Sequence, residues 1–558
     1  MKIKLPIKSY ILSFFFLTAL LPAQAQPGPV KKGAQSVFVL TTFNADGSIH
    51  SSSHGVFVGQ SGVCLSLWSP LKGADKAVVV DAKGRKYDVD VMMGVSELYN
   101  LCQFRIKGKG PDALTTTTSD APLKSVYLIG YDLKKPDIKK LNVERSEKFM
   151  STYNYYVFND NDVSSTALGC PIVNDAGQLL GIMQRPANGG QAYSADARLA
   201  STFKLNGLSI NDPTLSATGI RTALPNDEEQ ATLMLMLAGQ KVDSTKYAAY
   251  LDDFIAQFPN SAEGYSAKAR NLTANRRLKE ADEMFNLGVK RADNKDEAYS
   301  EYAKTVYEAA VLRTDTTFTD WNLKRAETLA QEAYKIRPLP VYRHQEAQAI
   351  YAEGDVQKAL DIFTELQKTD LGKNGEVYYE AAQCKSRLKA PQSEIMALLD
   401  SAVNVQQGMP SAPYVLARGR EYDGMGETRK AFKDYLTYDS LMNNNGTSEF
   451  YYIKYKCEMK LRQFQLALND IAHAIVLNRT EPTYYAEMAS VQLRVNKLED
   501  AIRTCDLGLQ LTQNYADLYI IKGMSLCGLK RKAEGLECFN KAKELGDSRA
   551  QGLIDKFK

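Results

Sequence analysis

Ala431, Ala467, Ala501 and Gly535 stand 36, 34 and 34 residues apart, each in the second helix of a pair written in Ala, Leu, Tyr, Glu and Lys. This recurrence constrains the chain more than its composition does. A period of roughly 20 to 50 residues marks a stacked array whose units cannot bury their apolar faces alone. A small side chain at the same place in each unit lets two helices approach closely. From residue 227 onward, where β-branched runs give way to helical spacing, the chain is expected to be all-helical.

The neighbours of the small residues recur with them. Gly419, Tyr422, Gly426, Ala431 and Tyr435 repeat earlier as Ala347, Tyr351, Gly354, Ala359 and Phe363. Further copies run over Ala262–Lys290, Tyr451–Ala474, Tyr485–Gly508 and Tyr519–Ala542. The pattern resembles the tetratricopeptide repeat (TPR), a helix-turn-helix unit of about 34 residues. Two segments depart from it: Ala298–Pro338, with an inserted RTDTTFTD, and Val377–Val403, where the Gly and Ala spacing is lost. The resemblance implies a solenoid over 227–547, about eight helix pairs, with 548–558 as a capping helix. The first helix of each pair would line a concave face. Its positions there include Leu416 and Arg420, Tyr452 and Lys456, Ala486 and Ser490, and Ile520 and Met524. Such a face suits a protein or peptide partner. The tyrosines opening many repeats, Tyr265, Tyr414, Tyr451, Tyr485 and Tyr519, read instead as packing between helices.

Residues 33–205 read differently. Short β-runs, among them Ser36–Thr42, Val63–Leu67, Ala77–Asp81, Leu101–Ile106, Ser125–Tyr131 and Gln178–Gln184, alternate with turn signals such as NADGS, DAKGRK and NDAGQ. Ten such runs predict two small β-barrels. Residues 206–226, NGLSINDPTLSATGIRTALPN, have the composition of a linker. The fold class is therefore multidomain, an all-β double barrel followed by an all-α solenoid.

The stretch HGVFVGQSGVCLSLWSPLKGADKAVVVDAKGRKYDVDVMMGVSELYNLCQFRI, with TALGCPIVNDAGQLLGIMQ further on, resembles the exported Deg/HtrA branch of the trypsin-like serine proteases. Carried over position by position, Ser69 stands where that family has its catalytic His, Asn100 where it has the Asp, and Leu168 where it has the nucleophilic Ser. A hydroxyl becomes nucleophilic only when an imidazole takes its proton and a carboxylate orients that imidazole. Leu168 has no nucleophile, Ser69 cannot act as a base near neutral pH, and Asn100 cannot stabilise an imidazolium. In the oxyanion loop Thr166 and Cys170 replace glycines. Cys170 reads as a buried thiol, and His54 as a strand-edge residue rather than a base. The retained barrel frame leaves room for peptide pairing at an edge near Tyr193, Ser194 and Ala195.

The remaining features bound the function classes. A basic start, the apolar run Ile11 to Leu21 and Ala23-Gln24-Ala25 form a signal peptide over 1–25, with no Cys after it to carry a lipid. Its apolar run is shorter than the roughly 20 residues that span a bilayer, so no integral membrane span is expected. Of the formal net charge of +4, Lys2, Lys4 and Lys8 belong to this leader. A near-neutral remainder disfavours nucleic acid as a partner. Eight cysteines show no CxxC spacing, and four histidines show no ligand spacing from a Cys or another His, so neither metal nor cofactor is expected. The leading expectation is an exported, periplasmic or secreted, non-catalytic binding scaffold of the bacterial envelope. Its alternatives are an active periplasmic serine protease or quality-control factor, and a periplasmic chaperone.

Overall fold

Strand pairing closes the β-rich part of the chain twice. The computed structural model describes residues 26–558 apart from 60, 61, 120, 136, 160–162, 187–189 and 314–316. The signal peptide expected over 1–25 lies outside the described residues. The chain divides into two compact units at Lys268/Ala269.

In the first unit a short helix, α1 (Gly28–Gly33), precedes β1 (Val37–Phe43), β2 (Ile49–Phe57), β3 (Val63–Leu67), β4 (Lys76–Asp81), β5 (Lys86–Ser96) and β6 (Leu101–Ile106). These strands run in the order β5-β4-β1-β2-β3-β6, and β5 pairs with β6 to close the barrel. The second barrel holds β7 (Ser125–Gly130), β8 (Asp137–Phe149), β9 (Tyr153–Phe158), β10 (Pro171–Val173), β11 (Leu179–Gln184) and β12 (Tyr193–Asp196), in the order β10-β11-β12-β9-β8-β7 with β10 on β7. The period of two along a strand sorts the side chains. On β1, Phe38 and Leu40 enter a cluster with Phe57, Trp68 and Phe104. Val37, facing the other way, joins Leu67 and Leu101 of the first barrel and Ile129, Val173 and Ile182 of the second in a cluster shared by both.

Residues 206–226 are not a linker in form. Ile210, Leu215, Ile220, Ala223 and Leu224 are buried, and Leu215 and Ile220 enter the first barrel's core. Within this stretch β13 (Arg221–Thr222) pairs in parallel with β5. The Asn, Asp and Ser content serves turns instead of flexibility: Asp212 Oδ1 accepts the Thr214 N–H at 2.7 Å. Two helices, α2 (Glu228–Lys241) and α3 (Ser244–Gln257), belong to the same unit. They are held through Tyr250, whose hydroxyl accepts the Thr222 N–H, and through Arg221, which bridges Asp90 and Asp253.

Helix α4 (Ala262–Ala274) leads into the second unit and is followed by α5 (Leu278–Arg291). Then come α6 (Lys295–Leu312) with α7 (Leu323–Ile336), α8 (Pro340–Glu353) with α9 (Val356–Leu366), and α10 (Glu376–Arg387) with α11 (Gln392–Val405). The array continues as α12 (Ala412–Gly424) with α13 (Thr428–Leu441), α14 (Ser448–Lys460) with α15 (Phe464–Leu477), α16 (Pro482–Arg494) with α17 (Leu498–Leu511), and α18 (Ala516–Gly528) with α19 (Lys532–Glu544). A last helix, α20 (Ala550–Phe557), buries Ala550 and Ile554 against the final pair.

The recurring small residues lie where helices cross. Ala431, Ala467 and Ala501 are wholly buried. At Gly535 an added Cβ would sit 2.5 Å from Cys527 Sγ, closer than atoms pack. The two departing segments are helical pairs as well, α6 with α7 and α10 with α11. Among the described residues no helix is long and apolar enough to cross a membrane.

Candidate functional site

The tight turn between β5 and β6 ends at Asn100, whose φ of +48° is left-handed, a conformation Asn tolerates better than most residues. From there Asn100 holds the loop after β3 twice. Its carbonyl accepts the Trp68 N–H at 3.2 Å, and its side-chain Oδ1 accepts the Ser69 N–H at 2.7 Å. The structure thus brings Ser69 and Asn100 together. Ser69 is exposed and Asn100 half-buried. Neither carries a charge or a titrating proton near neutral pH, so the pair is a neutral clamp between two loops.

Leu168 follows a short helical turn, Ser165–Ala167, and packs half-buried against the cluster that Leu67 and Leu101 also line. Its carbonyl accepts from His54 Nδ1 at 3.2 Å, which makes that nitrogen the protonated one. Burial holds the His54 imidazole below its ordinary value, against that hydrogen bond. Gly169 has φ +84° and lies so close to β2 that a Cβ would meet the His54 carbonyl oxygen at 2.4 Å. The amide of Thr166 donates to Ser164 Oγ at 3.2 Å. Cys170 is buried and unpaired, and burial pushes its thiol up to about 12, far from a reactive thiolate.

The peptide-pairing edge expected at Tyr193, Ser194 and Ala195 is not there. Strand β12 lies between β11 and β9, with Ser194 opposite both Met183 and Tyr156, so both of its sides are already paired. Barrel closure consumes the edge that residues 193–195 were expected to offer.

In the helical unit the expected groove positions have different surroundings. Arg420 is exposed and lines a cavity of about 350 Å³ with Tyr351, Tyr379, Gln383, Arg387 and Glu421. Tyr452 and Lys456 meet, the ammonium 4.6 Å from the ring centroid, and the Tyr452 hydroxyl reaches Glu487. Leu416 is half-buried against the cluster around Tyr435 and Tyr451. On α18, Ile520 is 5% exposed and part of the core, whereas Met524 is 37% exposed. Further back, His344 on α8 meets Glu376 and Glu380 on α10, with one donor atom from each within 4.8 Å of the others. The Glu376–Glu380 spacing of one helical turn was visible in the sequence. His344 was hidden because it arrives from a neighbouring repeat.

No family model matches the chain. Among curated proteins it is similar to a tetratricopeptide repeat protein 4 homolog of Dictyostelium discoideum, 29% identical over a 150-residue alignment that covers 25% of this chain and 37% of that protein. The chain thus spans little more than a third of that relative. Among solved structures, YrrB, a TPR protein with an unusual peptide-binding site, is 16% identical, covering 35% of this chain and 97% of that one with a TM-score of 0.31. The serine endoprotease from Yersinia pestis is 17% identical over 34% of this chain and 65% of its own, with a TM-score of 0.27. The HtrA-type protease AlgW with tripeptide is 20% identical over 31% and 60%, also at 0.27. These are likenesses of fold. On its own strand order and helix pairing the chain is a trypsin-like double barrel followed by a TPR-like helical array.

Proposed function

We propose that the chain is exported and acts in the bacterial cell envelope as a non-catalytic scaffold that binds a protein or peptide. In this reading the double barrel has lost proteolysis and the helical array makes the contacts. One observation supports the loss of catalysis: Ser69 and Asn100, which the resemblance puts in the places of base and orienting acid, meet in the structure, and neither side chain can take up a proton near neutral pH. Support also comes from Leu168 packed against the interior and from the Thr166 amide already engaged by Ser164, where a developing oxyanion would need a free donor. Leu416, Arg420, Tyr452, Lys456 and Met524 are the proposed contact residues, with Ile520 supporting them from the core.

A fluorophosphonate label and casein turnover on the mature chain test the first half. No labelling and no turnover are expected. Strong serine labelling abolished by one point mutation would overturn the reading. The second half is tested by co-purification from envelope extract, comparing the whole chain with one lacking 269–558. An unchanged partner set after that deletion sinks the scaffold role.

A further inference from the structure

We propose that His344, Glu376 and Glu380 form a binding site for a divalent transition-metal ion, with Zn(II) the best match to one imidazole nitrogen and two carboxylate oxygens. The ligands come from the first helices of two successive pairs. Glu376 and Glu380 stand one turn apart on α10 and so share a face, and His344 reaches them from α8.

Two of the three are already oriented. The His344 ring stands edge-on to Phe363, centroids 5.8 Å apart, and is buried apart from its contact with Glu380. Glu380 Oε1 accepts from Gln348 Nε2 at 2.8 Å, leaving Oε2 to face His344 Nε2. Such outer hydrogen bonds set the direction of a ligand and sharpen its affinity. Glu376, in the first turn of α10, is exposed.

Charge makes the second argument. Among the described residues no Lys or Arg forms an ion pair with Glu376 or Glu380, although the array pairs many of its other carboxylates, Glu327 with both Lys324 and Lys358 among them. Two carboxylates one turn apart repel each other, and His344 offers at most one positive charge. A divalent ion balances both.

The geometry needs only a small adjustment. Donors about 2.0–2.2 Å from a tetrahedral ion are separated by roughly 3.3–3.5 Å. The His344 Nε2 to Glu380 Oε2 contact would open by about 1 Å, and the proton between them would leave to solvent. Glu376 would close from the exposed side, and water would take the fourth position.

The test is calorimetric titration of the metal-stripped mature chain with zinc chloride in a non-coordinating buffer, with cobalt(II) absorption as a second readout. Saturable one-to-one binding at micromolar or tighter Kd is expected, with a tetrahedral cobalt spectrum. Glu376→Gln, an exposed change that leaves the fold intact by circular dichroism, should weaken binding at least tenfold, as should His344→Gln. His50→Gln serves as the unaffected control. Weak multi-site binding, no binding, or binding unchanged in Glu376→Gln overturns the proposal.

Discussion

The Ser69–Asn100 contact of the barrels and the Lys454 cluster of the helical array hold their polar groups in opposite ways. In the barrels, Ser69 and Asn100 are joined by a neutral hydrogen bond, from the Ser69 backbone N–H to the Asn100 side-chain oxygen, and Leu168 packs against the cluster that holds Leu67 and Leu101. In the array, Lys454 lies buried with its ammonium 2.6 Å from Asp439 and 3.1 Å from Asp470, and Glu458 is buried beside them. A neutral clamp can be lost at modest cost. A buried cation shared by several carboxyl groups cannot, because removing it strands them in low dielectric. The chain has two tryptophans, buried Trp68 in the barrels and buried Trp321 in the array, so replacing one at a time with Phe reports each region's unfolding separately.

The largest expected effect is therefore in the array. Lys454→Met should cost about 3–5 kcal/mol, read in denaturant by Trp321, while the Trp68 transition stays in place. A loss below about 1 kcal/mol would mean that the carboxyl groups find water or protons instead. In the barrels, Asn100→Ala removes a hydrogen bond worth about 0.5–1.5 kcal/mol and places Ala in a left-handed position that costs about 1–2 kcal/mol. A combined loss of about 2 kcal/mol in the Trp68 transition is expected. A loss equal to that of Lys454→Met would erase the contrast.

The two regions should also answer pH in opposite directions. Burial, then Asp470 beside it, pushes the Glu458 carboxyl up to about 9 from an ordinary 4.5. A raised value means the folded state holds the proton more tightly. Its contribution is complete below 4.5 and is lost as pH rises to about 9. His54 has the reverse sign: its lowered value gives stability that is complete above 6.5 and lost as pH falls through the folded value. The Trp321 midpoint should drop as pH rises from 4.5 to about 9, and drop less in Glu458→Gln. The Trp68 midpoint should drop as pH falls below 6.5, and drop less in His54→Asn. If both midpoints fall on the same side of neutrality, one of the two assignments is wrong.

How much of this was legible in the sequence follows the same division. The array was readable because its signal repeats: Ala431, Ala467 and Ala501 mark the helix crossings, and each is wholly buried. Strand β8 was missed because most of its residues, from Asp137 to Phe149, face solvent and carry charge, leaving Leu141 as its wholly buried anchor. It is a strand because β7 and β9 flank it, which alternation cannot reveal. The stretch 206–226 was misread because turn-forming residues and flexible-linker residues are the same types, and the apolar residues that pin it are spaced too irregularly to show a period. Ser69 and Asn100 were singled out by the resemblance, but the hydrogen bond between them was not legible, since residues 31 apart in sequence declare no contact.

The turns inside the helix pairs give a smaller prediction. Gly354, Gly426 and Asn496 take positive φ there, but so does Lys530, at +65°. A side chain in that conformation costs about 1 kcal/mol that glycine avoids, so Lys530→Gly should stabilise the array by about 0.5–1 kcal/mol. Destabilisation instead would show that the lysine side chain earns its place through a contact.

The smallest expected change is none. Leu168→Ser puts a hydroxyl where the resemblance to the proteases implies a nucleophile, and if that one group were enough for catalysis, labelling by a fluorophosphonate would appear. It should not. The new hydroxyl would have no base, because Ser69 holds its own proton and His54 Nδ1 is turned to the Leu168 backbone carbonyl. The oxyanion would meet a Thr166 amide already donated to Ser164. Labelling of Leu168→Ser, abolished on adding His54→Asn, would show that His54 has taken over as the base and that the barrels keep a latent charge relay of their own, much closer in kind to the array than the neutral Ser69–Asn100 clamp suggests.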